Sequence, residues 1–145
     1  MAIVIALLVV AGAAAFYYLN EISQRPPAAP PPLTGDARAY IHNGFLAITD
    51  SNMQAHESYL HQDVVEITGR IGNRGNRVLD KVEITCVFYD PYGQLLLRER
   101  VAIVDRAMGK LTPGETKPFR LAFDNVPLAW NQAMPQMVIA NIEFD

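Results

Sequence analysis

From Tyr40 to the C-terminus, apolar and polar residues alternate in short runs broken by turn residues, a pattern that predicts strands rather than helices. The runs are Tyr40–Thr49, His56–Ile71, Val78–Tyr89, Gln94–Val104, Thr116–Phe123 and Gln136–Phe144. In the third, Val82, Ile84, Cys86 and Phe88 fall on one face and Glu83, Thr85, Val87 and Tyr89 on the other. The first set is predicted to face the core. Asn73-Arg74-Gly75-Asn76 supplies residues that tolerate positive φ between two strands. Asp90-Pro91-Tyr92-Gly93 has the preferences of a type I turn, and Pro113-Gly114 those of the centre of a type II turn. No long apolar pattern at helical spacing follows Tyr40, although Leu128–Met134 has the length of one short helical turn. The expected fold is all-β: an immunoglobulin-like β-sandwich of about six or seven strands over residues 39–145.

The leader has a different pattern. No residue from Ala2 to Leu19 is charged, and as a helix these residues would span roughly 27 Å, enough to cross the hydrocarbon core. Tyr17 and Tyr18 close the run, where aromatic rings favour the headgroup layer. The segment predicts one N-terminal transmembrane α-helix, an anchor over residues 1–22 that brings the chain to a lipid bilayer. A cleaved signal peptide would carry a basic n-region, which is absent, though Ala11-Gly12-Ala13 and Ala13-Ala14-Ala15 resemble cleavage sites. A pilin-type stem would carry an early acidic residue, and a buried core helix would show a polar face. Neither feature is present. Residues 23–38 read as a proline-rich linker, because Pro26 to Pro32 can join neither helix nor sheet and would extend on the order of 20 Å. A docking site for a proline-recognition module is the sharper alternative to a spacer. The few lysines and arginines flanking the leader do not set an orientation.

Composition narrows the function. A formal charge of −3, from 12 basic and 15 acidic residues that are intermixed, offers no patch for nucleic acid. Cys86 is the single cysteine, so neither an intrachain disulfide nor a thiolate zinc cluster can form, and its apolar run predicts a buried thiol. His42, His56 and His61 are the histidines; His56 and His61 would point to opposite faces of one strand, a poor arrangement for a shared metal even with Glu57 and Asp63 nearby. Asp90, Asp105 and Asp124 each follow an apolar run and are expected to cap turns rather than gather calcium. No nucleophile elbow or phosphate loop occurs, since Gly69-x-x-Gly72-x-x-Gly75 belongs to a hairpin. The chain is therefore read as non-enzymatic, with no cofactor, metal, nucleic acid or small-molecule substrate.

Three segments resemble a known family. Gly69-Arg70-Ile71-Gly72-Asn73, then Val82 to Gly93 with its Phe88-Tyr89-Asp90 core, then Leu111-Thr112-Pro113-Gly114-Glu115-Thr116 are similar to the FxLYD-type domain and, more narrowly, to the DUF2393 group of bacterial proteins. The likeness runs from about Val64 to Phe123. It implies an exported, membrane-tethered immunoglobulin-like domain on the extracytoplasmic (periplasmic) side and implies no activity. The candidate partner-binding residues are Trp130, Leu128 and Met134, on a proline-bounded connection whose composition suits a protein interface. The competing reading of Trp130 is a plug for one end of the sandwich. An open sheet edge is a second candidate surface, through strand addition. The expectation is an interaction module with an unknown protein partner; the alternative is a small accessory subunit of a larger membrane complex, associating through its helix, where Gly12 and its alanine neighbours permit close approach.

Overall fold

Among the described residues six strands carry the fold, and they pair entirely antiparallel. The computed structural model describes residues 12–18, 32–57 and 63–145, in two compact units, Met1–Pro31 and Pro32–Asp145. In the first unit, residues 12–18 are helical and exposed. Most of the anchor predicted over 1–22 and Pro26–Pro31 of the linker lie outside the described residues. Among the described residues, no helix is long and apolar enough to cross a membrane.

The second unit begins with a short helix, α1 (Gly35–His42), followed by β1 (Leu46–Glu57), β2 (Asp63–Asn73), β3 (Leu79–Tyr89), β4 (Leu95–Val104), β5 (Thr116–Phe123) and β6 (Gln136–Phe144). One sheet has the order β1-β2-β5 and the other β4-β3-β6. The alternation read from the sequence places β3 to β6 closely. The run expected over His56–Ile71, however, takes in the end of β1 as well as most of β2, and β1 continues to Glu57 past the expected end at Thr49. The alternation also misplaces α1, which occupies the end of the expected linker and the start of the expected first strand. Thr34 caps the helix, its hydroxyl accepting from the Ala37 amide at 3.2 Å, and Asp36 lies in the first turn. Only Ala37 and Tyr40 are buried, so the apolar stripe is too short to read as a period.

The inner faces of the two sheets share one core, as in a β-sandwich. Phe88 of β3 meets Phe123 of β5 edge-to-face, ring centroids 5.1 Å apart. Val82, Ile84, Cys86 and Phe88 are all fully buried, as their alternation predicts. On the outer face of β3, Val87 is also buried, flanked across the ladder by Arg98 and Gln136. Beside it Glu83 accepts from Arg100 at 2.7 Å and pairs with Lys81 at 2.8 Å. Partial burial works to raise the Glu83 pKa, but the hydrogen bonds from Lys81 and Arg100 outweigh it and hold the carboxyl below its ordinary value of 4.5. A depressed carboxyl stabilises the fold above about 4.5 and loses that contribution as pH falls through the lowered folded-state value. Urea midpoints should therefore drop between pH 7 and pH 3, and Glu83→Gln should flatten this drop. Equal slopes in both proteins would place the acid sensitivity elsewhere.

Asn73, buried at 1% exposure, ties the α1 end together. Its Oδ1 accepts from Tyr40 Oη at 2.6 Å and from the Gly75 amide at 3.0 Å, while Nδ2 donates to the carbonyls of Arg77 at 2.8 Å and Leu111 at 3.1 Å. Its own backbone bonds the distant turn through Glu115 O and Gly114 N. That turn is type II as expected, with Gly114 at φ +79° and Glu115 N donating to Thr112 O. The turn after Asn73 differs from expectation: Gly75 does not have positive φ. Glycine is required there because a Cβ would collide with the Tyr40 ring, itself wedged edge-on between Phe45 and Phe144.

Candidate functional site

The candidate residues lie at the opposite end of the sandwich from α1. β1 and β2 pair from Leu46–Asn73 at the α1 end to Glu57–Asp63 at the far end, and β3 runs about 35 Å between the same two ends. At the far end the β3–β4 turn and the β5–β6 connection meet. Asp90 builds the turn, accepting through Oδ1 from the amides of Tyr92 at 2.8 Å and Gln94 at 2.7 Å, with Gly93 at φ +78°. Asn131 fastens the connection to it by donating its amide to Tyr89 O at 3.0 Å. The Trp130 amide bonds Pro127 O, a single tight turn in place of the helical turn considered for Leu128–Met134.

Trp130 is both plug and wall. Its ring meets Phe88 edge-on at 5.8 Å, which attaches the connection to the core. Its other surroundings form a cleft of about 360 Å³, with Met53, Ala55 and Val65 from β1 and β2 on one side and Val126, Pro127 and Leu128 on the other. His56 and Gln132 supply its polar groups. Leu128 lines this cleft yet is 95% exposed. Met134 is partly exposed on the same connection but does not line the cleft, so the structure brings together two of the three candidates. Tyr92, 89% exposed at the tip of the adjoining turn, was not singled out by the sequence; an aromatic residue at a Pro-x-Gly turn tip was the available signal.

Two unfavourable features gather in this connection. The Trp130 indole N–H is shielded from solvent and finds no acceptor among the described residues, at a cost of about 1–3 kcal/mol. Gln132 has φ +58°, a left-handed conformation that costs a non-glycine residue on the order of 1 kcal/mol.

The other candidates separate. In the first unit Tyr17 and Tyr18 are exposed, with Phe16 beside them. His42 ends α1, His56 is exposed at the cleft, and His61 lies outside the described residues. Among the described residues no three His, Cys, Asp or Glu side chains converge as metal ligands. Asp105, like Asp90, caps its own turn, accepting from the amides of Ala107 and Met108. Burial, and then the charge of neighbouring Glu99, pushes the Cys86 thiol up to about 12. Cys86 should therefore react with a disulfide reagent at least tenfold more slowly in the native chain than in urea; equal rates would mean that the thiol is reachable.

Each edge strand carries a feature that opposes strand addition. β1 is irregular between Thr49 and Asn52, with Asp50 at φ 53°, and β5 holds Pro118. In β6 the pairing skips Ala140. β4 has irregular pairing and places Glu99 opposite buried Cys86, its Oε2 shielded and without a donor among the described residues. Inward charges, bulges and proline all blunt sheet edges. The open-edge surface considered from sequence therefore gives way to the connection around Trp130.

No protein-family model matches the chain, and no curated protein matches it. Two solved structures are similar. One is a crystal structure of a Bordetella pertussis protein described as a candidate ApaA, 17% identical, with 68% of this chain and 90% of that one covered and a TM-score of 0.41. The other is an X-ray structure of a structural-genomics target, 12% identical, with 70% and 86% covered and a TM-score of 0.42. At such identity and such scores, neither likeness assigns the chain to a family.

Proposed function

We propose that the chain is a non-catalytic, membrane-tethered module for protein–protein interaction in the cell envelope, its immunoglobulin-like β-sandwich of the FxLYD-type, DUF2393 kind whose motifs it resembles. The observation that carries this reading is a pair of charge-free, apolar-rich segments at one end of the sandwich. Pro91–Leu97 and Asn125–Ile142 contain no charged residue, and the fold brings the first part of each to the same end. Interface cores are depleted of Lys, Glu and Asp and enriched in Tyr, Trp and Met, and Tyr92, Trp130 and Met134 fit that composition. The charge-free leader supports the tether, with Tyr17 and Tyr18 at its bilayer interface. The resemblance supports an extracytoplasmic domain.

A second reading, an accessory subunit held through its helix, is favoured by Gly12. Its missing side chain, beside Ala11 and Ala13 to Ala15, lets a neighbouring helix backbone approach closely. Photo-crosslinking of the full chain in native membranes separates the two. A benzophenone side chain placed at Leu128 or Tyr92 should yield one discrete adduct, and one placed at exposed Asn76 in the β2–β3 turn should yield none. Indistinguishable adducts from all three positions would sink the interaction reading. Exchange of residues 1–22 for an unrelated spanning sequence should preserve the adduct in the first reading and abolish it in the second.

A further inference from the structure

We propose that the cleft beside Trp130 takes an uncharged, extended peptide segment of a partner protein. One aliphatic side chain of the segment enters the cleft, and a neighbouring carbonyl accepts the indole N–H as the Val126–Met134 connection shifts around it. This rests on the interaction reading above and gives its partner a chemistry. Three features coincide in nine residues: an apolar side chain left in water at Leu128, a buried donor left unpaired at Trp130, and a left-handed backbone at Gln132. Each disfavours the free conformation, and a bound segment would relieve the first two. Strain of this kind gathers at ligand clamps.

The cleft itself selects the occupant. At about 360 Å³ it is at the small end for a ligand pocket and suits one or two side chains. Its described lining contains no Lys, Arg, Asp or Glu, so a charged group entering it would lose hydration with only His56 and Gln132 to replace it. A lipid surface is a poorer match, because the site is concave and its lining holds no Lys or Arg to meet an anionic headgroup. A donor shielded in the free state is reached only when the connection moves, so binding must perturb Trp130.

Trp130 is the single tryptophan, so its indole gives one N–H resonance in the ¹⁵N-labelled full chain reconstituted in phosphatidylcholine nanodiscs. The probe is N-acetyl-Leu-Leu-amide, with N-acetyl-Glu-Glu-amide and N-acetyl-Lys-Lys-amide as charged counterparts. The neutral peptide should move the resonance downfield and saturably, and the charged ones should bind at least tenfold more weakly. Ala55→Phe, which narrows the cleft from β1, should weaken binding at least tenfold. Leu128→Ser, a change at a solvated position that the fold does not need, should weaken it severalfold. A resonance that stays fixed up to the peptide's solubility overturns the proposal, as does equal binding by wild type and Leu128→Ser. Movement with protein concentration alone would instead identify a second copy as the occupant, and movement with lipid composition alone a membrane. Either overturns the peptide assignment. If the Leu128 adduct persists while the peptide fails to bind, only this inference falls; if both are lost, the interaction reading falls with it.

Discussion

Asn73→Ala should lower the unfolding free energy by about 3–5 kcal/mol, a large share of what a domain of this size has. Four side-chain hydrogen bonds disappear at once, and the groups left behind cannot all turn to water. The carbonyls of Arg77 and Leu111 would lose the Nδ2 donor, and Tyr40 Oη its short bond. Unpaired buried groups cost more than the bonds were worth. Asn73→Asp should cost nearly as much, because it keeps the acceptor for Tyr40 and Gly75 but removes both donated bonds and buries a charge. The check is urea unfolding of the full chain, with Tyr40→Phe and the double variant completing a cycle. The pair should couple by about 1 kcal/mol or more. A loss below about 1 kcal/mol for Asn73→Ala would mean that water enters and replaces the amide.

Phe88→Ala should cost about 3–5 kcal/mol and should also disturb the candidate site. Phe88 is fully buried and stands between Phe123 at 5.1 Å and Trp130 at 5.8 Å, so its ring joins the two sheets and supports the connection. Removal leaves a cavity next to Trp130. The tryptophan emission should shift to the red under native conditions, before any unfolding, because the indole loses an apolar neighbour and gains water. Phe88→Leu retains much of the volume and should cost less than half as much. Denaturation followed by far-ultraviolet circular dichroism measures the stability, and the emission maximum measures the site. An unchanged maximum in a destabilised Phe88→Ala protein would show that Trp130 is held by its loop alone.

The three motifs that carry the family resemblance turn out to hold corners. Asn73 closes the α1 end, Asp90 builds the β3–β4 turn, and Glu115 accepts from the Thr112 amide at 2.8 Å and hydroxyl at 2.9 Å across the Pro-Gly turn. At Asp90 and Glu115 this chemistry is local: side chain and backbone partner lie two to four residues apart, so residue type and spacing announce it. Asn73, by contrast, also bonds Tyr40 and Leu111 far along the chain. The same locality explains why β3 to β6 were legible, since strand alternation repeats within a few residues. Gly75 was misread for the opposite reason. Its neighbour is Tyr40, distant in sequence, and a steric need created by tertiary contact leaves no mark beside the glycine.

By itself the sequence determined that residues beyond Tyr40 build sheet, which face of β3 is core, that Cys86 is buried, and which connection carries the unusual apolar residues. These follow from period, propensity and turn geometry, all encoded over short stretches. Only the tertiary structure decided that β1 and β6 lie in different sheets, that a capped helix precedes β1, and that every edge is blunted. It also decided that Trp130 and Leu128 share a cleft with β1 while Met134 stands apart. Those outcomes depend on which distant surfaces meet, and the free energy that selects them comes from contacts between residues that the chain keeps far apart.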